Sequence, residues 1–141
     1  MTHIYKDERL VGEPCTVHDD FLADMDVFCS LLEKYNLKAN INSSLRASTL
    51  VPGAIVPPAQ MSNHLVGCAV DCNLIDSTGK LWNHIDMQTP TGDVSSFIQA
   101  VQNSGLRWGG TFHPIDSVHF DNGINIHNPE RWHEIYNELH P

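Results

Sequence analysis

The sequence predicts an α+β domain with a small, mainly antiparallel sheet flanked by helices. Three observations predict it. Residues 67–75 alternate apolar and polar side chains, the period of a half-buried strand. Residues 19–35, 94–103 and 128–140 carry apolar side chains at helical spacing. The resulting order is helix, strand, strand, strand, helix, strand, helix, which suits helices packed on a small sheet.

The bulk properties set limits on function. A chain of 141 residues fits a single domain, 1–141, and at this size buries about two-thirds of its unfolded surface. A hydrophobic fraction of 41% and a charged fraction of 18% are those of a globular protein rather than a disordered one. The formal net charge is -9 and no basic residues cluster, which argues against a nucleic-acid partner and against attraction to anionic surfaces. No stretch is long enough to insert across a bilayer. Met1 to Glu8 lacks an apolar run after a basic start, so no signal peptide is read and synthesis in the cytoplasm is expected. The protein is expected to be a monomer.

The elements follow in order. Residues 1–18, with Gly12 and Pro14 among mixed polar residues, read as an irregular arm lying on the domain. A helix runs from Asp19 to Tyr35, capped by Asp19 or Asp20. Phe21, Leu22, Met25, Phe28, Cys29, Leu32 and Tyr35 form its apolar face. Lys38–Ser43 is a short strand leading to Ser44, Leu45 and Arg46, and by position alone Arg46 reads as a solvated arginine. Residues 48–60 are loop, with a turn at Pro52-Gly53 and a stiff piece at Pro57-Pro58.

In the strand at 67–75, alternation puts Cys68, Val70, Cys72 and Leu74 on one face and Ala69, Asp71 and Asn73 on the other. Cys68 and Cys72 thus share an apolar face, which favours core filling over metal ligation. The four cysteines form no CxxC pair and no disulfide framework. Asp76 to Lys80 is a turn, and Leu81 to Ile85 is the returning strand of a hairpin, with His84 and Asp86 at the surface. Thr91-Gly92-Asp93 opens the helix at 94–103, and Gly105 stops it. A strand ends at His119-Phe120. Asn128 and Pro129 start the last helix as cap and first residue, and Trp132, Ile135, Tyr136 and Leu139 pack it down.

Two stretches carry the chemistry: Ser62 to Asp71, and Trp108 to Phe120. His64, Asp71 and His119 offer imidazole, carboxylate and imidazole, the three protein ligands of a catalytic zinc site that keeps one position open. Gly67, between His64 and Asp71, can bend the chain so that both reach one point. Asp116 reads either as a turn aspartate after Pro114 or as a general base beside the metal. Trp108-Gly109-Gly110 reads either as plain loop or as backbone approaching a substrate, with Trp108 as a wall. His113 reads as a substrate contact or as exposed.

The two stretches together resemble the zinc D-Ala-D-Ala carboxypeptidase family, which includes D-Ala-D-Ala dipeptidases and phage L-alanyl-D-glutamate endopeptidases. The first signature is carried by Ser62, His64, Gly67, Ala69 and Asp71. The second is carried by Trp108, Gly109, Gly110, Asp116, His119 and Phe120. Arg46, following the serine that ends a strand, resembles a third element. The motif core spans about 41–120 and is closest to the short, endolysin-like branch. The resemblance implies a hedgehog-like, D-Ala-D-Ala-peptidase-like fold and one Zn2+ ion held by His64, Asp71 and His119. It implies Asp116 as general base and Arg46 as the cation that stabilises the oxyanion, which reverses the positional reading of Arg46. Ser62, Trp108 and His113 are the candidate substrate contacts. The implied reaction is hydrolysis of a peptidoglycan stem-peptide bond, either L-Ala-D-Glu or D-Ala-D-Ala, in the cell wall or periplasm. The segment 76–91 is longer and more polar than the family pattern, and no wall-binding module is recognisable. The alternative is a non-catalytic zinc-binding or virion-structural module on the same fold, which has no need of both Asp116 and Arg46.

Overall fold

The computed structural model describes residues 1–47 and 61–141; the loop expected over 48–60 lies outside the described residues. The chain opens with three short strands, β1 (Thr2–Tyr5), β2 (Leu10–Gly12) and β3 (Cys15–His18). This corrects the expectation of an irregular arm at 1–18. Runs of three and four residues are too short for alternation to show. β1 pairs antiparallel with β3 inside the segment, and β2 pairs parallel with the more distant β4 (Lys38–Ser43).

The main sheet has five strands in the order β2-β4-β5-β7-β6, where β5 is Ala69–Ile75, β6 is Arg107–Trp108 and β7 is His119–Asp121. Among the described residues only the β2–β4 pair is parallel, so the sheet is mixed though mainly antiparallel. Its two faces differ as the alternation in β5 dictates. Cys68, Val70, Cys72 and Leu74 are fully buried, whereas Asp71 and Asn73 are half-buried. All four cysteines are free and buried, in keeping with core filling.

Helices α1 (Leu22–Lys34) and α2 (Gly92–Asn103) pack together over the apolar face. Phe28 of α1, Phe97 of α2 and Phe120 of β7 meet edge to face, with centroids 5.2 to 6.1 Å apart. Edge-to-face pairs of this kind add about 0.5–1.5 kcal/mol each beyond their buried area. The start of the first helix differs from the expected aspartate cap. Asp19–Phe21 forms a tight 3-10 turn, and the His18 ring accepts a hydrogen bond from Asp20 N. Asn36 ends α1 at a φ of 55°, a conformation in which asparagine is enriched.

In the second half one expectation needs correction and one element was not expected. Residues 81–85 do not return as a full strand; Leu81 makes a single bridge to Ile75, and the chain turns at Asp86–Gln88. A one-turn helix, α3 (Ile124–His127), precedes α4 (Pro129–Leu139). Asn128 caps α4 as expected, its side chain accepting from Arg131 N at 3.2 Å. No helix among the described residues is long and apolar enough to cross a membrane.

Candidate metal centre and active site

Strand register brings the first groups together. Ser43 of β4 lies opposite Asp71 of β5, and Asp71 lies opposite His119 of β7. A bulge between Ile41 and Ser43 shifts the register by one residue and puts Ser43 in that row. Phe120 points into the core, so its neighbours His119 and Asp121 share the opposite face.

His64 arrives from a 3-10 turn, Asn63–Val66, that precedes β5. Ser62 caps this turn, its hydroxyl accepting from His64 N at 3.3 Å. Gly67 closes it in the left-handed region, φ 66° and ψ 27°. His64 Nε2 and His119 Nδ1 each lie 3.1 Å from the same Asp71 oxygen, Oδ1. The three ligand atoms all fall within 4.8 Å of one another.

The other nitrogen of each ring is held by the protein. His64 Nδ1 donates to the Ser44 carbonyl at 2.7 Å, and His119 Nε2 lies 2.7 Å from Asp121 Oδ2. The two nitrogens left over face one carboxylate oxygen, so a positive centre is needed between them. Two imidazoles and a carboxylate, each oriented by an outer partner, are the donor set of a catalytic zinc site. The residues present therefore fit the ion.

The electrostatics agree. Burial opposes the charge on Asp71, but hydrogen bonds from His119 and His64 outweigh it and hold its pKa well below the ordinary carboxylate value. Burial also opposes a charge on His119, yet Asp121 and Asp71 overcome this and raise its pKa to about 9. The carboxylates thus favour a cation at this point.

Arg46 and Asp116 flank the cluster. Arg46 Nη2 donates to Asp71 Oδ2 and its Nε to Ser43 Oγ, both at 3.0 Å. The solvated reading of Arg46 is therefore wrong: it is half-buried and committed to the site. Asp116 Oδ2 lies 3.9 Å from His119 Nδ1, with half of its side chain exposed. Burial of the carboxyl and the charge of Asp71 push its pKa upward. Arg46, Ser62, His64, Asp116 and His119 line one cleft of about 220 Å³.

The glycine pair packs closely against the protein itself. A Cβ on Gly109 would lie 2.1 Å from the Asp116 carbonyl oxygen, and one on Gly110 would lie 2.1 Å from the Trp108 ring. Both glycines therefore let the Asp116 loop fold back on itself. Asp116 N donates to Gly109 O at 2.9 Å. Trp108 donates its indole N–H to the Ser117 carbonyl at 2.8 Å, bracing the same loop. His113 is exposed on that loop. Neither Trp108 nor His113 is among the described residues that line the cleft.

Sequence reasoning missed Asp121 and Arg107. A signal existed for Asp121, since His119 and Asp121 are two apart in a strand and must share a face. Arg107 had none, because its role depends on the pairing of β6 with β7.

A sequence profile of the D-alanyl-D-alanine carboxypeptidase family matches residues 57–122. None of the curated proteins compared with the chain matches it. Among solved structures, the chain is similar to the L-Ala D-Glu endopeptidase ChiX of Serratia marcescens. The TM-score is 0.47 and the identity 19%, over 74% of this chain and 79% of that one.

Proposed function

From the match of residues 57–122 to the D-alanyl-D-alanine carboxypeptidase family, we propose that the chain is a metallopeptidase that hydrolyses a peptide bond in peptidoglycan stem peptides. The bond is L-Ala-D-Glu or D-Ala-D-Ala, and the metal is one zinc ion. One observation carries the reading. His64 and His119, which cluster with Asp71, line a single cleft together with Asp116 and Arg46, and a module that only bound metal would need neither Asp116 nor Arg46 there.

His64, Asp71 and His119 hold the ion. Bound there, zinc polarises a carbonyl and lowers the pKa of water. The chain's own residues supply the rest. Asp116, half exposed at the cleft, takes the proton from the attacking water and passes it to the leaving amine. Its raised pKa suits a group that must hold that proton between the two steps. Arg46 sets a fixed positive charge beside the site where oxygen becomes negative in the transition state. The hydrogen bond to Ser43 and the ion pair with Asp71 hold that charge in place before the reaction begins. Ser62 lines the same cleft and orients His64 through its cap.

The test is digestion of purified peptidoglycan by the zinc-loaded protein, with products identified by mass spectrometry and Asp116→Ala run beside it. Fragments cut at L-Ala-D-Glu, absent in the variant, identify an endopeptidase. Loss of a terminal D-Ala alone identifies a carboxypeptidase. Intact wall in both samples, with zinc bound, rejects the proposal and favours the non-catalytic module.

A further inference from the structure

Asp121 is the most completely engaged side chain near the cleft. Only 2% of it is exposed. Its Oδ2 lies 2.7 Å from His119 Nε2 and accepts from Arg107 Nη2 at 2.8 Å. Its Oδ1 accepts from Arg107 Nε at 2.7 Å and from Gly123 N at 2.8 Å. Arg107 and Asp121 are cross-strand partners of β6 and β7, so the sheet itself sets this pair.

The surroundings allow Arg107 little freedom. Its guanidinium sits 4.8 Å over the Phe112 ring, and that ring lies 5.6 Å from the His119 ring. Arg107 Nη2 also reaches Asn125 Oδ1 at 3.3 Å, and Asn125 Oδ1 accepts from Asn63 Nδ2 at 3.0 Å. Asn63 immediately precedes His64. The pair on His119 is thereby linked to the turn that carries the other imidazole.

We propose that Asp121, oriented by Arg107, is a positioning residue that fixes His119 with its Nδ1 toward the metal and so sets the affinity of the site. The inference rests on reading His64, Asp71 and His119 as ligands, and not on the identity of the substrate. An N–H···carboxylate bond at Nε2 selects the tautomer whose lone pair is on Nδ1, and it makes that nitrogen a stronger donor. Four bonds on one carboxylate leave it no alternative orientation. A bidentate arginine does this in a way that a lysine does not.

The test measures zinc binding directly, by competition with a chromophoric chelator, and needs no peptide substrate. Asp121→Asn keeps the shape but offers an amide N–H toward Nε2. It is expected to bind zinc roughly 10–100-fold more weakly than wild type. Arg107→Met is expected to weaken binding in the same direction by a smaller factor. Ile135→Val, a core change in α4, supplies a control that perturbs stability alone, and its zinc affinity is expected to match wild type. Equal zinc affinity in Asp121→Asn and wild type overturns the proposal and leaves the pair a purely structural bond.

Should Asp121→Asn fail to fold, imidazole ¹⁵N NMR of the zinc-loaded wild type decides the matter. The expected signature is a His119 ring protonated at Nε2 and metallated at Nδ1. Metallation at Nε2 overturns the proposal, as does a wild type that takes up no zinc. Zinc bound with this signature but no stem-peptide cleavage leaves the inference standing and rejects only the proposed reaction.

Discussion

Arg46 and Asp71 form an ion pair at 3.0 Å in which the carboxylate divides its oxygens: Oδ2 accepts from the guanidinium and Oδ1 faces both imidazoles. The arginine is thereby held beside the His64, Asp71 and His119 cluster. Arg46→Ala is expected to lower kcat/KM on a stem peptide by about 10²–10³-fold, the usual cost of removing one group that stabilises a developing oxyanion. Arg46→Lys is expected to recover little, because an ammonium cannot bond Ser43 Oγ and Asp71 Oδ2 in the same fork. Steady-state kinetics at saturating zinc measures both. Full activity in Arg46→Ala would remove this residue from the chemistry.

Asp116 differs from the three proposed ligands in being half exposed. Its carboxylate therefore contributes little to folding, while under the proposed mechanism its loss removes proton transfer. Asp116→Asn is expected to keep the fold within about 0.5 kcal/mol, the usual range for exposed sites. Activity is expected to fall by about 10²–10⁴-fold. Thermal melts, zinc titration and turnover on one preparation check the combination. Weakened zinc binding in this variant would instead make Asp116 a fourth ligand.

Much of this site was legible because it depends on short-range pattern. Alternation along β5 separated Asp71 from Cys68 and Cys72, and the buried cysteines and half-buried aspartate agree with it. Lys38–Ser43 and the cap at Asn128 were equally local. What escaped was long-range. β1 and β3 exist by pairing with each other and β2 by pairing with β4, and all three are too short to carry a period. Arg46 looked solvated because its partner Asp71 lies twenty-five residues on, across a strand pairing. The two readings of glycines 109 and 110, loop or approach to a substrate, also left out their close neighbours, the carbonyl of Asp116 and the ring of Trp108.

The cysteines are expected to be chemically silent. Burial pushes the thiol of Cys15 up to about 11 and those of Cys29 and Cys68 up to about 12, and it raises Cys72 well above its ordinary value. A thiol that is neither ionised nor accessible does not react. Native protein should release no chromophore from Ellman's reagent on the minute scale, and guanidinium-unfolded protein should titrate all four thiols. Zinc binding should survive Cys68→Ser. Rapid reaction in the native state would contradict the packing of β5.

Asp76 gives a pH-dependent signature away from the metal. Hydrogen bonds from Thr78, then from the Trp82 indole, lower its pKa to about 2 from an ordinary 3.8. A carboxylate depressed on folding adds stability above its unfolded pKa and loses it as pH falls through the folded value. The stability difference between wild type and Asp76→Asn should therefore be constant near neutrality and shrink from about pH 4 toward pH 2. Urea unfolding at a series of pH values measures it. A difference that stayed constant down to pH 2 would mean that the turn does not depend on the ionised form.

Gly67 joins the His64 turn to β5 under two constraints. Its φ of +66° costs a residue with a Cβ about 1–2 kcal/mol. Its backbone also packs against β3: Gly67 O accepts from His18 N at 2.9 Å, and an added Cβ would sit 2.7 Å from that same nitrogen. No flexible side-chain end is there to move aside, so either the turn or β3 must shift. Gly67→Ala is expected to destabilise the protein by about 2 kcal/mol or more and to lower Tm by about 4–8 °C at this chain length. Because His64 lies in the turn that would move, zinc affinity should fall as well. Gly105→Ala separates strain from contact, since Gly105 has a φ of +101° but no atom within 4 Å of an added Cβ. It should lose stability from strain alone and keep its zinc affinity. Equal zinc affinity in both variants would show that the His64 turn is held by contacts other than its seat on β3.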